Sequence, residues 1–203
     1  MDSHGTDHNF TPSRRLNFII AVCAIGISLA SFIATYFQAQ SEAAQAKAMT
    51  YPLIQFTSSN YDSERNQQQL KLVVKNQGVG PALVKRMKYH YLDQSYNSLY
   101  DFLLACCTSG FQEMNQRVKE GAFNDSVEYA IITASTNHII LPANESVDAL
   151  TLNRHALNAN LWDQINRERW KLSVEVCYCS LLQDCYKSKG IDSIIEVSSC
   201  DDF

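Results

Sequence analysis

The sequence predicts a mainly β protein in which a single N-terminal transmembrane helix precedes an antiparallel β-sandwich with two helical insertions. Three observations support this fold class. The stretch Leu16–Phe37 has no charged side chain, and nothing comparable recurs in the 203 residues. Beyond residue 70, segments with alternating apolar residues are separated by short turns, without the strand–helix–strand rhythm of a parallel sheet. Two segments with helical periodicity interrupt these strands.

The apolar stretch Leu16–Phe37 is long enough to cross a membrane, since its residues would span roughly 33 Å as a helix. A cleavable secretory signal is the alternative, but its apolar region has about 7 to 15 residues. Ala44-Gln45-Ala46 has the small-x-small form of a cleavage site, and Ser13-Arg14-Arg15 loosely resembles a twin-arginine signal to which Asn17 is a poor fit. The length of the stretch favours a retained anchor.

Flanking basic residues predict the orientation of this anchor. Arg14 and Arg15 precede it and only Lys47 lies near its other end, so the N-terminus is expected in the cytoplasm. The Ala- and Gln-rich segment behind the anchor favours a helix, which Pro52 would stop. We therefore expect a protein of the cytoplasmic (inner) membrane with four parts: a cytoplasmic tail (1–15), a transmembrane helix (16–37), a helical stalk or linker (38–50) and a periplasmic or extracellular β-sandwich domain (51–203).

Cysteine usage agrees with an extracytoplasmic domain. Cys23 lies inside the apolar stretch, and the remaining cysteines are even in number, as is typical of disulfide-bonded proteins in oxidising compartments. These disulfide candidates are Cys106, Cys107, Cys177, Cys179, Cys185 and Cys200. Six cysteines allow 15 pairings, so the connectivity stays open. Cys106 and Cys107 could bond to each other, but separate partners are the default expectation.

A strand, a turn and a second strand open the globular part. Leu70–Lys75 alternates as a strand does, and Ala82–Asp93 follows with apolar residues of one parity. Between them, Asn76, Gly78, Gly80 and Pro81 form a structural turn, because glycine allows close backbone approach and proline sets the exit. A phosphate-binding loop would need a Lys and a following helix, which this turn lacks.

Further helices and strands follow by periodicity. The first helical segment carries Tyr96, Leu99, Tyr100, Leu103 and Leu104 on one face behind a Ser95 cap, and it is followed by a short helix through Phe111, Met114 and Val118. The other helix is expected at about Arg154–Arg167 behind an Asn153 cap. The remaining strands are expected at Val127–Thr133, His138–Leu141, Ser146–Leu152, Trp170–Ser180 and Ile191–Ser199.

In the strand Trp170–Ser180, parity separates two faces. Trp170, Val174 and Val176 face one way, and Cys177 and Cys179 face the other.

Two short segments carry a resemblance to known proteins. They are the turn Asn76-x-Gly78-x-Gly80-Pro81-Ala82 and the run Cys177-Tyr178-Cys179-Ser180 with Cys185. Both resemble uncharacterised bacterial envelope proteins with one N-terminal transmembrane anchor and an Ig-like β-sandwich domain. The resemblance covers about a tenth of the chain and implies an Ig-like sandwich, but no activity. The Cys–Trp–Cys spacing of true immunoglobulin domains is not evident.

Several functional classes are disfavoured. The net charge of −4 and the pI near 5.7 argue against a nucleic-acid-binding surface. No G-x-S-x-G or H-E-x-x-H motif occurs, and His90, His138 and His155 are scattered. A Cys107–His138 pair is the one catalytic combination left open. Asn124-Asp125-Ser126 and Asn144-Glu145-Ser146 match a glycosylation sequon, which would mean nothing in a bacterial chain. We predict no catalytic residue, no cofactor and no metal.

The function expected from these observations is a membrane-anchored module that binds a protein partner in the cell envelope, with no enzymatic activity. Gly26 and Ala30 are four residues apart, a spacing that allows close helix packing and thus an oligomer through the membrane helix. The alternative is an envelope metal-handling or thiol-based redox protein that uses Cys177, Cys179 and Cys185. Their C-x-C and C-x5-C spacings are not those of standard zinc sites, so disulfides are favoured.

Overall fold

The computed structural model describes residues 14–124, 129–190, 193–201 and 203. Most of the predicted cytoplasmic tail, the first residues of the strands predicted at 127–133 and 191–199, and the sequon residues Asp125 and Ser126 lie outside the described residues. The chain divides into two compact units, Met1–Ala46 and Lys47–Phe203. The boundary between them falls four residues before the predicted start of the domain at residue 51.

The first helix, α1 (Arg14–Met49), has 36 residues and no buried side chain. By length and composition it could cross a membrane, and it is the one such helix in the described part of the chain. The segments predicted as transmembrane helix and stalk are thus continuous. The helix ends three residues before Pro52, whose ring cannot continue a helix.

In the described part of the chain, ten strands form two antiparallel sheets, so the predicted sheet-rich architecture is confirmed. The first sheet has the order β1-β2-β7-β5, with bounds Ile54–Ser59 (β1), Gln69–Asn76 (β2), Ser146–Asn153 (β7) and Ile132–Thr133 (β5). The second has the order β10-β9-β8-β3-β4, with bounds Ser193–Val197 (β10), Cys185–Lys189 (β9), Leu172–Cys179 (β8), Ala82–Tyr91 (β3) and Gln94–Tyr96 (β4). A further strand, β6 (Ile139–Leu141), pairs with the start of β3.

One hydrophobic core joins both sheets and the helices α2 (Leu99–Cys106), α3 (Thr108–Lys119) and α4 (Ala159–Glu168). Leu70, Leu72 and Val74 on β2 are fully buried, whereas Lys75 is exposed. This alternation follows from the two-residue period of a strand, which turns one face of the sheet inward. The helices are the two predicted insertions: α2 and α3 lie between β4 and β5, and α4 lies between β7 and β8.

Two predicted helix starts are wrong. Helix α2 begins at Leu99 with Ser98 as its N-cap, whose Oγ accepts a hydrogen bond from the Asp101 N–H at 3.1 Å. Ser95 and Tyr96 lie instead in β4, because they pair with His90 and Tyr89 in a hairpin with β3. Helix α4 begins at Ala159 rather than Arg154, because Asn153 still pairs with Gln69 at the end of β7.

The predicted place of Trp170 in the strand, on the same face as Val174 and Val176, is also wrong. Residues Arg169–Lys171 form a 3₁₀ turn and the strand begins only at Leu172, so Trp170 is 74% exposed. The Arg169 guanidinium lies 4.0 Å from the centroid of the indole ring. From Val174 onward the predicted parity holds, since Val174 and Val176 join the main core and Cys177 does not.

Candidate functional site

Four of the six predicted disulfide cysteines meet on the outer face of the second sheet. Cys177 and Cys179 lie on β8, Cys185 begins β9, and Cys200 follows β10. Disulfides join Cys177 to Cys200 and Cys179 to Cys185, the latter two being direct neighbours across the β8–β9 pair. The four residues form a buried cluster of their own, separate from the main core, with Val197 and Phe203 packed against it. We call it the cysteine cluster.

The two disulfides of the cysteine cluster are in contact. Cys179 Sγ lies 4.0 Å from Cys200 Sγ, a sulfur of the other disulfide. The Sγ atoms of Cys179, Cys185 and Cys200 all lie within 4.8 Å of one another. If reduced, three thiolates at this separation could bind a soft metal ion; as disulfides they have no charge to offer one. The metal-handling hypothesis therefore requires the reduced protein.

A surface cavity of about 350 Å³ opens onto the cysteine cluster. Cys179, Cys185 and Cys200 line the cavity. The basic side chains of Lys85, Arg86 and His138 also line it, together with Asp201. The cysteines differ in exposure: Cys185 and Cys200 are each 7% exposed, Cys179 is 2% exposed and Cys177 is fully buried. The cavity therefore lies against the cysteine cluster, with the cationic side chains of Lys85 and Arg86 in its wall.

Asp201 and Phe203, which follow Cys200 in the chain, lie across the same outer face. Arg86 Nη1 donates hydrogen bonds to the backbone oxygens of Phe203 at 3.0 Å and Asp201 at 3.4 Å. The ammonium groups of Lys88 and Lys187 lie 4.8 and 5.0 Å from the centroid of the Phe203 ring. Contacts of this kind, together with the Cys177–Cys200 disulfide, hold these residues against β3, β8 and β9.

The remaining predicted cysteines lie elsewhere, and their default expectation is wrong. Cys106 and Cys107 bond to each other, at the junction of α2 and α3, instead of to two separate partners. The four other cysteines pair among themselves in the cysteine cluster, which leaves these two to each other. Cys107 thus has no thiol for the hypothesised pair with His138.

The predicted structural turn encloses a network around Asn76. This side chain is fully buried, and its Oδ1 accepts hydrogen bonds from the backbone N–H groups of Leu53 at 3.1 Å and Gly78 at 3.0 Å. Its Nδ2 lies 2.8 Å from the Gly80 carbonyl oxygen and 3.1 Å from those of Leu141 and Pro142. Gly80 lies so close to Thr50 that a Cβ would be 2.6 Å from the Thr50 Cα. The turn is therefore a structural junction, and it leaves no room for a phosphate.

A polar group that sequence reasoning missed lies at the end of α4. Glu168 is buried and accepts hydrogen bonds from Tyr91 Oη at 2.7 Å, Lys171 Nζ at 2.7 Å and Arg167 Nε at 3.1 Å. The hydrogen bonds, that from Lys171 foremost, lower the pKa of Glu168 to about 2. Burial and the bond to Glu168 raise the pKa of Tyr91 to about 12. All partners of Glu168 stabilise its charged form, so the group is structural.

An apolar groove of about 390 Å³ lies between the helical insertion and strand β5. Leu99, Tyr100, Leu103 and Phe111 line its helical side, and Ile131, Thr133, Ala134 and Ser135 line the other, with Asn115 as a further polar residue. Tyr100 is 56% exposed although its ring packs edge-on against Phe111, with centroids 5.3 Å apart. We call this the insertion groove. The sequence pattern predicts Leu99, Tyr100 and Leu103 on one helix face, but it does not indicate that the β5 segment lies beside them.

The histidines named in the sequence have separate surroundings. His90 Nε2 lies 3.0 Å from Glu175 Oε2, and the His155 ring stacks on Tyr129 with centroids 4.3 Å apart. His138 lines the cavity beside the cysteine cluster. Gly26 and Ala30 are exposed on α1, and outside the adjoining helix backbone no described atom would lie within 4 Å of a Cβ added to Gly26. Helix packing through these two residues stays a prediction.

Comparison with models of known protein families, with curated proteins and with solved structures finds no match to this chain. The cysteine cluster and the insertion groove are therefore the features of the molecule that bear on its function.

Proposed function

We propose that this protein is a single-pass membrane protein whose domain, outside the cytoplasm, binds an extended segment of a partner protein in the insertion groove, a role that requires no enzymatic activity. The apolar helix α1 and the disulfide-bonded cysteines support the anchor and the compartment. The observation that carries the proposal is the insertion groove itself. It is an apolar surface between the helical insertion and the β5 segment.

We also propose that the domain is an Ig-like β-sandwich. Taking β1, β2, β3, β4, β5, β7, β8 and β9 as strands A, B, C, C′, D, E, F and G gives the orders A-B-E-D and G-F-C-C′. These are the strand orders of immunoglobulin-type sheets. The disulfides differ from those of antibody domains, because none joins strands B and F. The resemblance to bacterial envelope proteins with an Ig-like domain stays part of this proposal.

The proposed occupant is an extended peptide because of what lines the groove. Strand β5 is at the end of its sheet order, and among the described residues it pairs only with β7, so its other edge can accept a further strand. Ile131, Thr133, Ala134 and Ser135 of this segment line the groove. A strand added beside β5 would form main-chain hydrogen bonds and place alternate side chains between Tyr100 and this segment.

A photo-crosslinking amino acid at Tyr100 tests this proposal in the membrane. We expect one discrete adduct, and mass spectrometry should place the crosslink within a segment of alternating apolar residues. The matched control is the same substitution at Tyr61, which is 51% exposed and far along the chain from the groove. Equal adducts at both positions, or none at Tyr100, would contradict the proposal. An adduct with a second copy of this chain or with lipid would replace the proposed occupant.

Binding strength provides the second measurement. A synthetic peptide of the crosslinked segment should bind the purified full chain, and Tyr100→Asp should weaken it at least about tenfold, because it places a charge in an apolar contact. Tyr61→Asp should leave the affinity unchanged. Equal affinities for both variants would show that the crosslink reports proximity without recognition.

A further inference from the structure

We propose that the cysteine cluster is a thiol–disulfide exchange site, which takes electrons from an external dithiol and re-forms as a Cys179–Cys200 disulfide. This activity goes beyond the proposed peptide binding and needs no residue of the insertion groove. Its basis is the 4.0 Å separation between the Sγ atoms of Cys179 and Cys200, which belong to different disulfides.

Access to the site is selective. The cavity of about 350 Å³ is lined by Cys179, Cys185 and Cys200, and the more exposed of these are Cys185 and Cys200, one from each disulfide, at 7% each against 2% for Cys179. An incoming thiol therefore meets either of these two first. Cys177 is fully buried and is not among the residues that line the cavity.

Attack at Cys185 starts one route. The thiolate of the dithiol forms a bond to Cys185 Sγ, the Cys179–Cys185 bond breaks, and its electron pair leaves on Cys179 Sγ. The Cys179 thiolate is then 4.0 Å from Cys200 Sγ, which it attacks to form Cys179–Cys200, while Cys177 leaves as a thiolate and takes up a proton. The second thiol of the reductant releases Cys185 and departs as a disulfide. The dithiol has lost two electrons and two protons, and the protein has gained the thiols of Cys177 and Cys185.

Attack at Cys200 leads to the same product. It breaks the Cys177–Cys200 bond and leaves the electron pair on Cys177. The second thiol of the reductant frees Cys200, whose thiolate attacks Cys179 Sγ across the same 4.0 Å and expels Cys185. Both routes end with a Cys179–Cys200 disulfide and two thiols, so the product does not depend on whether Cys185 or Cys200 reacts first. In the product, the link from Cys200 to β8 has moved from Cys177 to Cys179.

The charges around the cavity favour the thiolates that this exchange requires. Among the described residues, Lys85 and Arg86 line it together with His138 and the carboxylate of Asp201. Cationic neighbours stabilise thiolate over thiol, which promotes both attack and departure of sulfur. On the other side of Cys177, its direct neighbour across the β8–β9 pair is Lys187.

Limited reduction of the wild-type full chain tests the proposal. The protein in detergent is first treated with N-ethylmaleimide to block the free Cys23, then given one equivalent of dithiothreitol, quenched in acid and alkylated with a second label. Peptide mapping without reduction should find the second label on Cys177 and Cys185 and a Cys179–Cys200 disulfide. Label on Cys179 and Cys185 with Cys177–Cys200 intact would overturn the proposal. So would label on Cys106 and Cys107 with the cysteine cluster still oxidised.

Single variants test the exchange without a reductant. Cys185→Ser should show a Cys179–Cys200 disulfide and an alkylated Cys177, whereas a retained Cys177–Cys200 disulfide with alkylated Cys179 would contradict exchange. Cys200→Ser is the matched control: it removes the acceptor sulfur and should keep Cys179–Cys185, again with Cys177 alkylated. If a variant fails to fold, the wild-type mapping decides alone, and it leaves the peptide-binding proposal untouched.

Discussion

Asn76 shows how much structure depends on one buried side chain. Its amide lies within hydrogen-bonding distance of five backbone groups from three parts of the chain, namely the segment before β1, the turn after β2 and the end of β6. In the sequence, the local conformational preferences of Asn76 and its neighbours predict a turn. The long-range partners at Leu53 and Leu141 explain why an amide is needed there.

Asn76→Ala should lower the free energy of unfolding by at least about 3 kcal/mol, because it leaves the N–H groups of Leu53 and Gly78 buried without their acceptor. Denaturant unfolding of the full chain in detergent measures this. Gln77→Ala is the control, since Gln77 is exposed in the same turn and should change stability by less than about 0.5 kcal/mol. Equal effects would mean that the turn, and not the amide network, sets the cost.

Protonation of Glu168 should cause a specific loss of stability in acid. Its folded-state pKa of about 2 lies below the unfolded value of 4.5, so its contribution is complete above about pH 4.5 and is lost as the pH falls towards 2. Glu168→Gln should flatten the pH dependence of the unfolding free energy within this window. At neutral pH it should cost about 1–3 kcal/mol through weakened bonds to Lys171 and Tyr91.

The exposed Glu64 serves as the control for this pH series. Glu64→Gln should leave the slope between pH 4.5 and 2 as in the wild type. If Glu168→Gln also keeps the wild-type slope, the acid sensitivity belongs to other carboxylates.

At the scale of elements, close approach of the backbones decides how α3 and α4 pack. Gly110 lies on the buried face of α3, and a Cβ there would be 2.6 Å from Leu161 Cα and 2.8 Å from Leu161 N. Backbone atoms cannot rotate away as a side chain can, so the two helices would have to separate. The periodicity of α3 is visible in the sequence, but the neighbour of Gly110 is not.

Gly110→Ala should therefore destabilise the protein by about 1–3 kcal/mol. This is expected although the intrinsic helix propensity of alanine is more favourable than that of glycine by up to about 1 kcal/mol. Thermal unfolding of the full chain measures the difference. Gln112→Ala on the exposed face of the same helix is the control and should leave the midpoint almost unchanged. A raised midpoint for Gly110→Ala would show that helix propensity outweighs the close contact.

Element types were more predictable than element boundaries. The strands with clear alternation, such as β2 and β3, occur close to their predicted bounds. Strand β1 was missed because its sequence IQFTSS lacks alternation, and it exists through its pairing with β2. Trp170 and Ser95 were misplaced because a neighbouring turn or hairpin, and not the local pattern, determines where an element begins.

At the scale of the whole molecule, the length of α1 leads us to expect a retained membrane anchor. Intact-mass spectrometry of the protein from membranes should therefore include residues 1–46. Ala44→Leu, which removes the small-x-small pattern, should leave this mass changed only by the substitution. A chain that begins at Lys47 in the wild type and is longer in the variant would identify α1 as a cleaved signal.

The orientation of this anchor is a separate prediction. A reporter that is active only outside the cytoplasm should be active when fused after Phe203, because Arg14 and Arg15 favour the cytoplasmic side. Lys47 is a weak competitor, since its ammonium is paired with Glu196 at 2.9 Å and Asp184 at 3.6 Å. Replacing both arginines by Glu should lower reporter activity, whereas Lys47→Gln should not. An inactive reporter on the wild-type chain would place the domain in the cytoplasm.

The sequence by itself determined the apolar helix, the strand-rich remainder and the even number of cysteines beyond Cys23, because charge, periodicity and residue counts are local properties. Only the tertiary structure decided which cysteines pair, that two disulfides lie 4.0 Å apart, and that α2 and β5 enclose a groove. These features join residues far apart in the chain. Their contacts arise when the two sheets and the helices bury a common core, and no local pattern encodes them.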